Sequence, residues 1–526
     1  MNRNKIKELV RNDEYLKSKL FCRGFVLSDD LGINHTVYPF FGKWSVTSIG
    51  AKYALAVHPD QTFYIKNFGD GLCMGLIGHA YNPESGITNE MDILEELSEK
   101  YFDKEAFFAA VNSLTGCFCL FAASEQKLEF FSDPLCLYSV FYANLHSHIY
   151  VSSHSNLLGD ILDLSESAFV AKLKSCKTFK YFGNQLPGNI SQFDEVFRLN
   201  PNHSCVFNGE ETEQKRFYYP HTLDMTREQI CEELIALLRK TATAIAQKWD
   251  RAALSLTGGC DSKTFLASLS HRYEDFIYFS YDSQPNELPD AQAAENICNA
   301  LNIPHIFYKI PYDDAAFEQI EGVRSVLLWN CGDVRYNNPN DVRKRIYLDQ
   351  IDDFDVEIKS WASEVGRSRY TKRYSGRRNF GKKPSPRTCT TFYKFLFFNR
   401  VLVNRCDGVF KKYLTKYFEQ DANRPIPWQD QFYWEWHWPS RDGVNLTGEQ
   451  MYSNNITVPY NNRRVLELLL SADEEDRIND VIYQEIRTRL DPRIDEATKA
   501  IVDVNHTNKR AFLESVYYIF NKFLPY

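Results

Sequence analysis

One short stretch of the chain combines residue types that could hold a phosphate group. Its centre reads Thr-Gly-Gly-Cys-Asp-Ser at residues 257–262. The apolar run before it, 252–256, predicts a strand, and the residues that follow it, as far as Ser268, predict a helix. A helix N-terminus presents unbonded backbone N–H groups to an anion, and glycine lets the main chain approach a phosphate without a Cβ in the way. The stretch therefore predicts an anion site at a strand–turn–helix junction.

The polar side chains of this turn indicate a nucleotide that is bound together with a divalent cation. The hydroxyls of Thr257 and Ser262 can donate to phosphate oxygens. Asp261 repels a phosphate, so its presence makes sense if a cation lies between the two negative charges. The spacing is neither that of the GxxxxGK[ST] loop nor that of GxGxxG. A glycine turn that only joins a strand to a helix is the alternative interpretation.

The turn resembles the SGGxDS pyrophosphate loop of the N-type ATP pyrophosphatases, with Thr257 in the first serine position. Enzymes of that class split ATP between its α and β phosphates and pass AMP to a carboxylate or a similar oxygen. The resemblance implies ATP and Mg²⁺ as cofactors, with Asp261 as a ligand of the metal. The ATP-binding residues that it implies in this stretch are Ser255, Thr257, Gly258, Gly259, Asp261 and Ser262.

After this turn the sequence alternates between strand and helix patterns. A strand is predicted at 276–280, a helix at 290–301 and another strand at 305–310. Strand, helix and strand at this spacing imply parallel pairing, with ligands at the carboxyl ends of the strands. The segment resembles the second βαβ unit of asparagine synthetase. That resemblance places Ser280, at the end of its strand, beside the adenine of ATP.

The first part of the chain, 1–215, reads as mostly β, with helices predicted at 88–102 and 104–113. We expect stacked sheets flanked by helices. A polar stretch follows, and Thr226 then opens a helix with Gln229 as its capping-box partner, so 216–526 is predicted to be a second domain. Four segments of the first part resemble the glutaminase-like domain of asparagine synthetase: 75–83, 114–120, 131–142 and 196–203.

The departures from that glutaminase pattern indicate lost activity. A working glutaminase of this type uses the α-amino group of an N-terminal cysteine as its base, whereas this chain begins Met-Asn-Arg. Ile77 occupies the position of the asparagine that donates to the oxyanion, and His79 that of a glutamate. The resemblance therefore implies an inactive scaffold. Exposure of Cys22 by processing is the alternative that would restore a nucleophile.

Two further residues are implied by resemblance in the second part. The segment 356–370 resembles the family's "SGEGxDExFGGY" turn, which makes Glu364 a catalytic residue and a ligand of a second magnesium ion, while Trp361 takes the place of the family's first glutamate. The segment 490–499 resembles "LPxxVxxRxK", and Lys499 is then the lysine that stabilises charge on the adenylate and acyl transition states. The stretch 458–471 resembles "vPFxDxxxxExxL".

Taken together, the chain is identified as a member of the class B asparagine synthetase family, among the glutaminase-deficient relatives that include β-lactam synthetases and lasso-peptide cyclases. The implied fold is an α+β, Ntn-hydrolase-like β-sandwich domain followed by an α/β parallel-sheet ATP-pyrophosphatase domain. The implied reaction is amide formation between a carboxylate and an amine on a small molecule or peptide. A glutamine-hydrolysing asparagine synthetase and a non-catalytic nucleotide-binding relative are the alternatives.

Composition limits the class of protein. The 526 residues carry a net charge of −8, which gives no reason to expect bulk nucleic acid as a partner. Thirteen cysteines without metal spacing, no secretory leader and no apolar run of 18 residues predict a cytoplasmic protein without membrane insertion. A homodimer is left open.

One local charge asymmetry stands out. Nine Lys or Arg residues and no Asp or Glu lie between Arg367 and Arg387. Such a stretch could bind the leaving pyrophosphate or an anionic substrate, or it could be a solvated loop that acts as a lid.

Overall fold

The computed structural model describes residues 2–181, 185–332, 339–373, 380–381, 383–393, 399–418, 425–498, 516 and 519. The chain forms a mixed α/β structure with three sheets. The strands are β1 Phe25–Ser28, β2 Ser45–Ile49, β3 Tyr53–Val57, β4 Phe63–Asn67, β5 Cys73–Tyr81, β6 Thr115–Ala123, β7 Leu128–Ser132, β8 Phe141–Leu145, β9 His148–Ser152, β10 Phe197–Arg198, β11 His203–Phe207, β12 Thr212–Arg216, β13 Ala252–Ser255, β14 Phe276–Asp282, β15 Ile306–Lys309, β16 Val356–Ile358 and β17 Ile456–Thr457.

The helices flank and connect these sheets. They are α1 Arg3–Val10, α2 Glu14–Lys19, α3 Glu90–Lys100, α4 Lys104–Asn112, α5 Ser155–Ile161, α6 Ala168–Ser175, α7 Lys177–Tyr181, α8 Arg227–Lys248, α9 Cys260–Ser268, α10 Leu288–Leu301, α11 Ile320–Asn330, α12 Pro339–Asp349, α13 Arg369–Arg373, α14 Pro386–Tyr393, α15 Arg400–Tyr417, α16 Trp428–Phe432, α17 Val444–Gly448, α18 Arg463–Ser471, α19 Glu474–Ile478, α20 Val481–Leu490 and α21 Arg493–Glu496. A buried π-helix covers Tyr433–Gly443. Among the described helices, none combines the length and the apolar character that crossing a membrane requires.

The first part of the chain contains two six-stranded antiparallel sheets, as the alternation of apolar runs predicts. Their strand orders are β10-β8-β9-β1-β3-β2 and β12-β11-β7-β6-β5-β4. β5 and β6 pair along nine residues each and are buried throughout, so they form the centre of the second sheet. The two predicted helices are α3 and α4. The side chain that caps α3 is Asn89, which accepts a hydrogen bond from the Met91 amide.

The third sheet is parallel, with strand order β15-β14-β13-β16-β17. β14 and β15 continue on one side of β13, whereas β16 and β17 lie on its other side. Strand order thus reverses between β13 and β16, and by the general rule for such sheets a ligand crevice is expected at the carboxyl ends of these two strands. The long helix α8 precedes this sheet, and its capping box between Thr226 and Gln229 is formed as predicted.

Two helices that the sequence analysis did not anticipate precede β1. Ile6 and Leu16 of α1 and α2 are buried in a cluster that includes Val323 and Leu327 of α11. Cys22 follows these helices directly and is 2% exposed. Processing that made Cys22 the N-terminal residue would remove α1 and α2 and uncover this apolar cluster, so the folded arrangement disfavours that alternative.

Buried polar bonds connect the first part of the chain to the segment after β17. The Asn461 side-chain amide donates to Asp133 at 2.8 Å, and that of Asn462 donates to Thr115 at 2.9 Å. Tyr81 and Thr457 share a hydroxyl–hydroxyl bond of 3.2 Å. One hydrophobic cluster also includes residues of both antiparallel sheets and of the parallel sheet. The two parts are thus joined by a common core.

Gly78 in β5 is a glycine that the backbone of this core requires. Its φ is +99°, and an added Cβ would lie 2.2 Å from the carbonyl oxygen of Cys117 in β6. We expect Gly78→Ala to lower the free energy of unfolding by about 3 kcal/mol, because backbone strain and a clash with main-chain atoms add. Denaturant titration measures this free energy.

Gly86→Ala is the matched control. Its φ is +77° with nothing within 4 Å, so its free energy of unfolding should fall by only about 1 kcal/mol. Equal losses would contradict the account.

Candidate functional site

The turn between β13 and α9 is held by its own hydroxyl groups. The hydroxyl oxygens of Thr257 and Ser262 lie 3.0 Å apart, and the Gly259 amide donates to the Thr257 hydroxyl at 3.1 Å. The Ser262 hydroxyl also contacts the Thr257 carbonyl at 3.1 Å. These hydroxyls, which the sequence analysis assigned to phosphate oxygens, shape the loop in this structure. No side chain caps the first turn of α9, whose N-cap is Gly259, so its first backbone N–H groups have no side-chain acceptor.

The packing around the turn explains one of its glycines. A Cβ on Gly258 would lie 3.0 Å from the Cβ of Ala293 and 3.4 Å from Oδ1 of Asp290, both in α10. The loop therefore lies against α10 with no room for a larger residue. A Cβ on Gly259 would meet only the Thr257 hydroxyl, at 3.0 Å. The closeness of the main chain to α10 is thus the local reason for glycine at position 258.

Asp261 lies in the first turn of α9 and faces the turn after β16. Its carboxylate accepts a hydrogen bond from the Ser363 hydroxyl and lies 3.3 Å and 3.4 Å from Nη1 of Arg367. Burial raises the pKa of Asp261 to about 6, and the nearby charge of Glu364 acts in the same direction, while Arg367 lowers it. The two carboxylates that the sequence analysis paired, Asp261 and Glu364, are therefore close enough to interact.

Arg367 joins this carboxylate to another that the sequence analysis did not identify. Its Nε and Nη2 atoms each donate to Asp480 at 2.7 Å, and the guanidinium packs over the ring of Tyr483. Lys372 lies 3.3 Å from the same carboxylate. Asp480 precedes α20 and has a left-handed backbone with φ 57°. No local pattern marks it, because only the tertiary fold brings it to Arg367.

Glu364 lies at the rim of the crevice with a side chain that is 37% exposed. Its Oε2 accepts a hydrogen bond from the Tyr433 hydroxyl at 3.1 Å, and its Oε1 is 3.8 Å from Nη1 of Arg369. Carboxylate and hydroxyl oxygens are the ligands that Mg²⁺ prefers. The donor set of Asp261, Glu364 and the Ser363 hydroxyl fits that ion, and Arg367 provides a positive charge beside Asp261.

The remaining predicted residues lie at the same edge of the sheet or beyond the described chain. Ser280, near the end of β14, bonds Nε2 of His305 at 3.0 Å. Lys499 lies outside the residues that the structure describes. The segment leading to it is held against α9, since Nζ of Lys263 lies 3.1 Å from Asp495 and 3.2 Å from the Thr498 hydroxyl.

Comparisons with known proteins add little to this geometry. No family profile matches the chain, and no curated protein matches it. Among solved structures, one described as the allosteric regulatory enzyme of purine biosynthesis aligns with a TM-score of 0.23 and 10% identity over 57% of this chain, which spans 62% of that protein's length. Glutamine phosphoribosylpyrophosphate amidotransferase from B. subtilis, complexed with ADP and GMP, aligns with a TM-score of 0.22 and 10% identity over 70% of this chain and 74% of its own.

The ion pair between Arg367 and Asp480 should make a pH-dependent contribution to stability. Burial raises the pKa of Asp480, but hydrogen bonds from Arg367 and Lys372 outweigh it and hold the pKa below the ordinary 3.8. We expect Asp480→Asn to lower the free energy of unfolding by about 2 kcal/mol at pH 7, because a charge-assisted bidentate bond is lost while asparagine keeps the left-handed backbone.

The sign of the pH effect follows from that lowered pKa. The stabilisation by Asp480 is fully present above the unfolded pKa and disappears as the pH falls through the lower folded pKa. Denaturant titrations of both proteins from pH 7 downward should therefore give a difference that stays constant to about pH 5 and shrinks below about pH 4. A difference that grows on acidification would show that Asp480 is not the ionised partner of Arg367.

Proposed function

We propose that the crevice between β13 and β16 binds ATP with Mg²⁺, and that the protein transfers AMP to a substrate carboxylate before an amine completes an amide bond. The observation that carries this proposal is the turn at Thr257–Ser262. There, an uncapped helix N-terminus, a glycine in close contact with α10 and a partly buried acidic side chain meet at the switch point of a parallel sheet.

The turn supports binding of the phosphates in particular. The first N–H groups of α9 are available to an anion, and the helix dipole favours negative charge at the same place. The close approach of Gly258 to α10 leaves main chain rather than side chain to face a phosphate. A carboxylate at this position would repel the nucleotide unless a cation came with it.

Asp261 and Glu364 are the residues that would hold the magnesium ion. When bound, this ion would neutralise phosphate charge and so favour departure of pyrophosphate. The chain's own contribution is to fix the two carboxylates: Ser363 donates to Asp261, and Tyr433 donates to Glu364. Arg367 would then turn from Asp261 toward the phosphates while Asp480 continues to anchor it, because a guanidinium binds phosphate oxygens in a bidentate manner.

The proposed reaction has two displacements. A carboxylate oxygen of the substrate attacks the α-phosphorus, and the bond to the bridging oxygen breaks so that pyrophosphate leaves. An amine nitrogen then attacks the acyl carbon, its proton passes to solvent or a base, and AMP leaves with the electrons of the acyl–oxygen bond. Lys499 is proposed to stabilise the negative charge that develops in both steps.

The source of the amine is proposed to be a substrate or free ammonia rather than glutamine. Cys22 lies inside the chain behind two packed helices, and Ile77 of β5 is a fully buried aliphatic residue where a glutaminase needs a hydrogen-bond donor. Both observations support a first part that serves as a scaffold.

A second candidate, a non-catalytic nucleotide-binding protein, is favoured by two observations. Arg367 already supplies a positive charge to Asp261, so the site has an arrangement that needs no metal ion. In addition, Trp361 rather than an acidic residue follows β16, with Nζ of Lys359 5.4 Å from its ring centre. This candidate predicts ATP binding without release of pyrophosphate.

Substitution of Asp261 should separate these possibilities. Wild-type protein with Mg²⁺, ATP and a metabolite extract should release pyrophosphate and AMP in equal amounts, while Asp261→Asn should lower the rate at least about 100-fold, because the metal loses a ligand. A coupled pyrophosphate assay and chromatography of the nucleotides measure the two products. Asp476→Asn is the control, since that carboxylate pairs with Arg227 instead of facing the crevice, and it should retain the rate.

Three outcomes would contradict the proposal. AMP formation that is unchanged in Asp261→Asn would show that the chemistry occurs elsewhere. Binding of the uncleavable analogue α,β-methylene-ATP without any pyrophosphate release from ATP would favour the second candidate. Loss of binding in both the wild type and the control variant would reject a nucleotide site at this turn.

A further inference from the structure

A second group of chemically active side chains lies in the first part of the chain, away from the nucleotide crevice. It consists of Cys22, His58 and Asp60, here called the Cys22 cluster. One donor atom from each residue, a sulfur, a ring nitrogen and a carboxylate oxygen, lies within 4.8 Å of the other two. Strand pairing creates this arrangement: β1 and β3 are antiparallel, and the His58 amide donates to the Gly24 carbonyl at 2.9 Å. Residues just before β1 and just after β3 are therefore brought together.

The hydrogen bonds of His58 decide which chemistry the cluster can perform. Its Nε2 lies 3.0 Å from the carbonyl oxygen of Ser18, so this nitrogen carries the proton and donates. The lone pair is then on Nδ1, which lies 3.9 Å from Oδ2 of Asp60. In a nucleophile–base–carboxylate relay the imidazole uses opposite nitrogens for its two partners. Here the carboxylate lies 3.9 Å from the lone-pair nitrogen and 3.7 Å from the thiol sulfur, and all three donors lie within 4.8 Å of one another, which suits a chelate.

We propose that Cys22 Sγ, His58 Nδ1 and Asp60 Oδ2 bind one zinc ion. Thiolate, imidazole and carboxylate form a zinc donor set, and the thiolate disfavours Mg²⁺ and Ca²⁺. Tetrahedral zinc at ordinary bond lengths places its ligand atoms about 3.3–3.6 Å apart. Sγ of Cys22 is 3.7 Å from Oδ2 of Asp60, and Nδ1 of His58 is 3.9 Å from the same oxygen. These two separations need to contract by only a few tenths of an ångström.

The surroundings of His58 resemble those of a metal ligand before any metal is bound. A histidine that binds zinc commonly donates its other ring N–H to a backbone carbonyl, which fixes the tautomer and the ring orientation. The bond to Ser18 provides this, and the ring of Trp44 packs edge-on against the imidazole with centroids 5.5 Å apart. In the metal-free arrangement Nδ1 accepts the Asp60 amide at 3.1 Å. On binding, zinc would take the place of the Asp60 amide at Nδ1 and of the proton on the thiol. That proton would pass to solvent.

The backbone around Cys22 is held in an unusual conformation. Phe21 and Arg23 both have positive φ values, 52° and 55°, so Cys22 lies between two left-handed residues. Such strain is characteristic of functional sites. The Arg23 side chain ties the cluster together by donating to the carbonyls of Asp60 at 2.5 Å and Met451 at 3.2 Å. The ammonium group of Lys19 pairs with Asp349. The side chains of Arg23 and Lys19 are therefore bonded to groups other than the three donor atoms.

Exposure supports an open fourth position on the metal. Cys22 and His58 are 2% and 3% exposed, whereas the Asp60 side chain is 47% exposed. An ion could enter from the Asp60 side, and water or a small ligand could complete the coordination there. Because Sγ of Cys22 also lies 3.9 Å from the Met451 carbonyl, the ion would reinforce the contact between the first part of the chain and the segment before β17.

Metal titration of the full-length protein tests this inference without any nucleotide. After treatment with a chelator, the wild type should bind one equivalent of Zn²⁺ in competition with a chromophoric chelator, and Zn²⁺ should raise its melting temperature. Asp60→Asn is the mild variant, since the side chain is half exposed, and it should weaken binding at least about tenfold. Co²⁺ serves as a spectroscopic probe: the wild type should show tetrahedral d–d bands and a thiolate charge-transfer band, and Cys22→Ser should lack the latter.

A matched cysteine control distinguishes the cluster from general thiol binding. Cys73 is 4% exposed in β5 and belongs to no such group among the described residues, so Cys73→Ser should bind Zn²⁺ and Co²⁺ as the wild type does. The inference would be overturned if Asp60→Asn, folded by circular dichroism, bound Zn²⁺ as tightly as the wild type. It would also fail if the wild-type Co²⁺ spectrum lacked a thiolate band. Neither result would affect the ATP proposal, which concerns other residues.

Discussion

The carboxylate of Asp261 is held, partly buried, in the first turn of a helix beside other acidic groups, and it needs a neighbouring cation. Arg367 provides that charge from the turn after β16, and Asp480 fixes the guanidinium from the other side. This chain of charges connects α9, the turn after β16 and the start of α20. The geometry of the crevice depends on it, because a buried carboxylate without a partner would instead be protonated or drawn toward solvent.

Hydroxyl groups hold the same three elements in place. Tyr460 donates to the main-chain carbonyl of Asp261 at 3.1 Å, and Tyr483 donates to that of Ser363 at 2.8 Å. The segment that carries Tyr460 continues into Asn461 and Asn462, which bond the antiparallel sheets. The first part of the chain thus supports the crevice through side-chain bonds to its wall. This arrangement suits a first part that acts as a scaffold and holds the crevice residues in place before a ligand binds.

The features that could be predicted from sequence are those with local causes. The turn after β13, the capping box at Thr226 and the strands of both halves follow from glycine placement, hydroxyl spacing and apolar periodicity. Asp480 and the Cys22 cluster could not be found in this way, since their partners are brought together only by tertiary packing. The helices α1 and α2 are short, and their apolar side chains are buried by packing against α11, which lies about 300 residues later in the chain.

The most direct measurement is an experimental structure of the full chain with Mg²⁺ and α,β-methylene-ATP. The account predicts the triphosphate over Thr257–Ser262, the metal ion on Asp261, and Arg367 moved beyond hydrogen-bond distance of that carboxylate while it remains paired with Asp480. A nucleotide bound elsewhere on the protein, with the Arg367–Asp261 pair intact and the turn after β13 without phosphate, would contradict it.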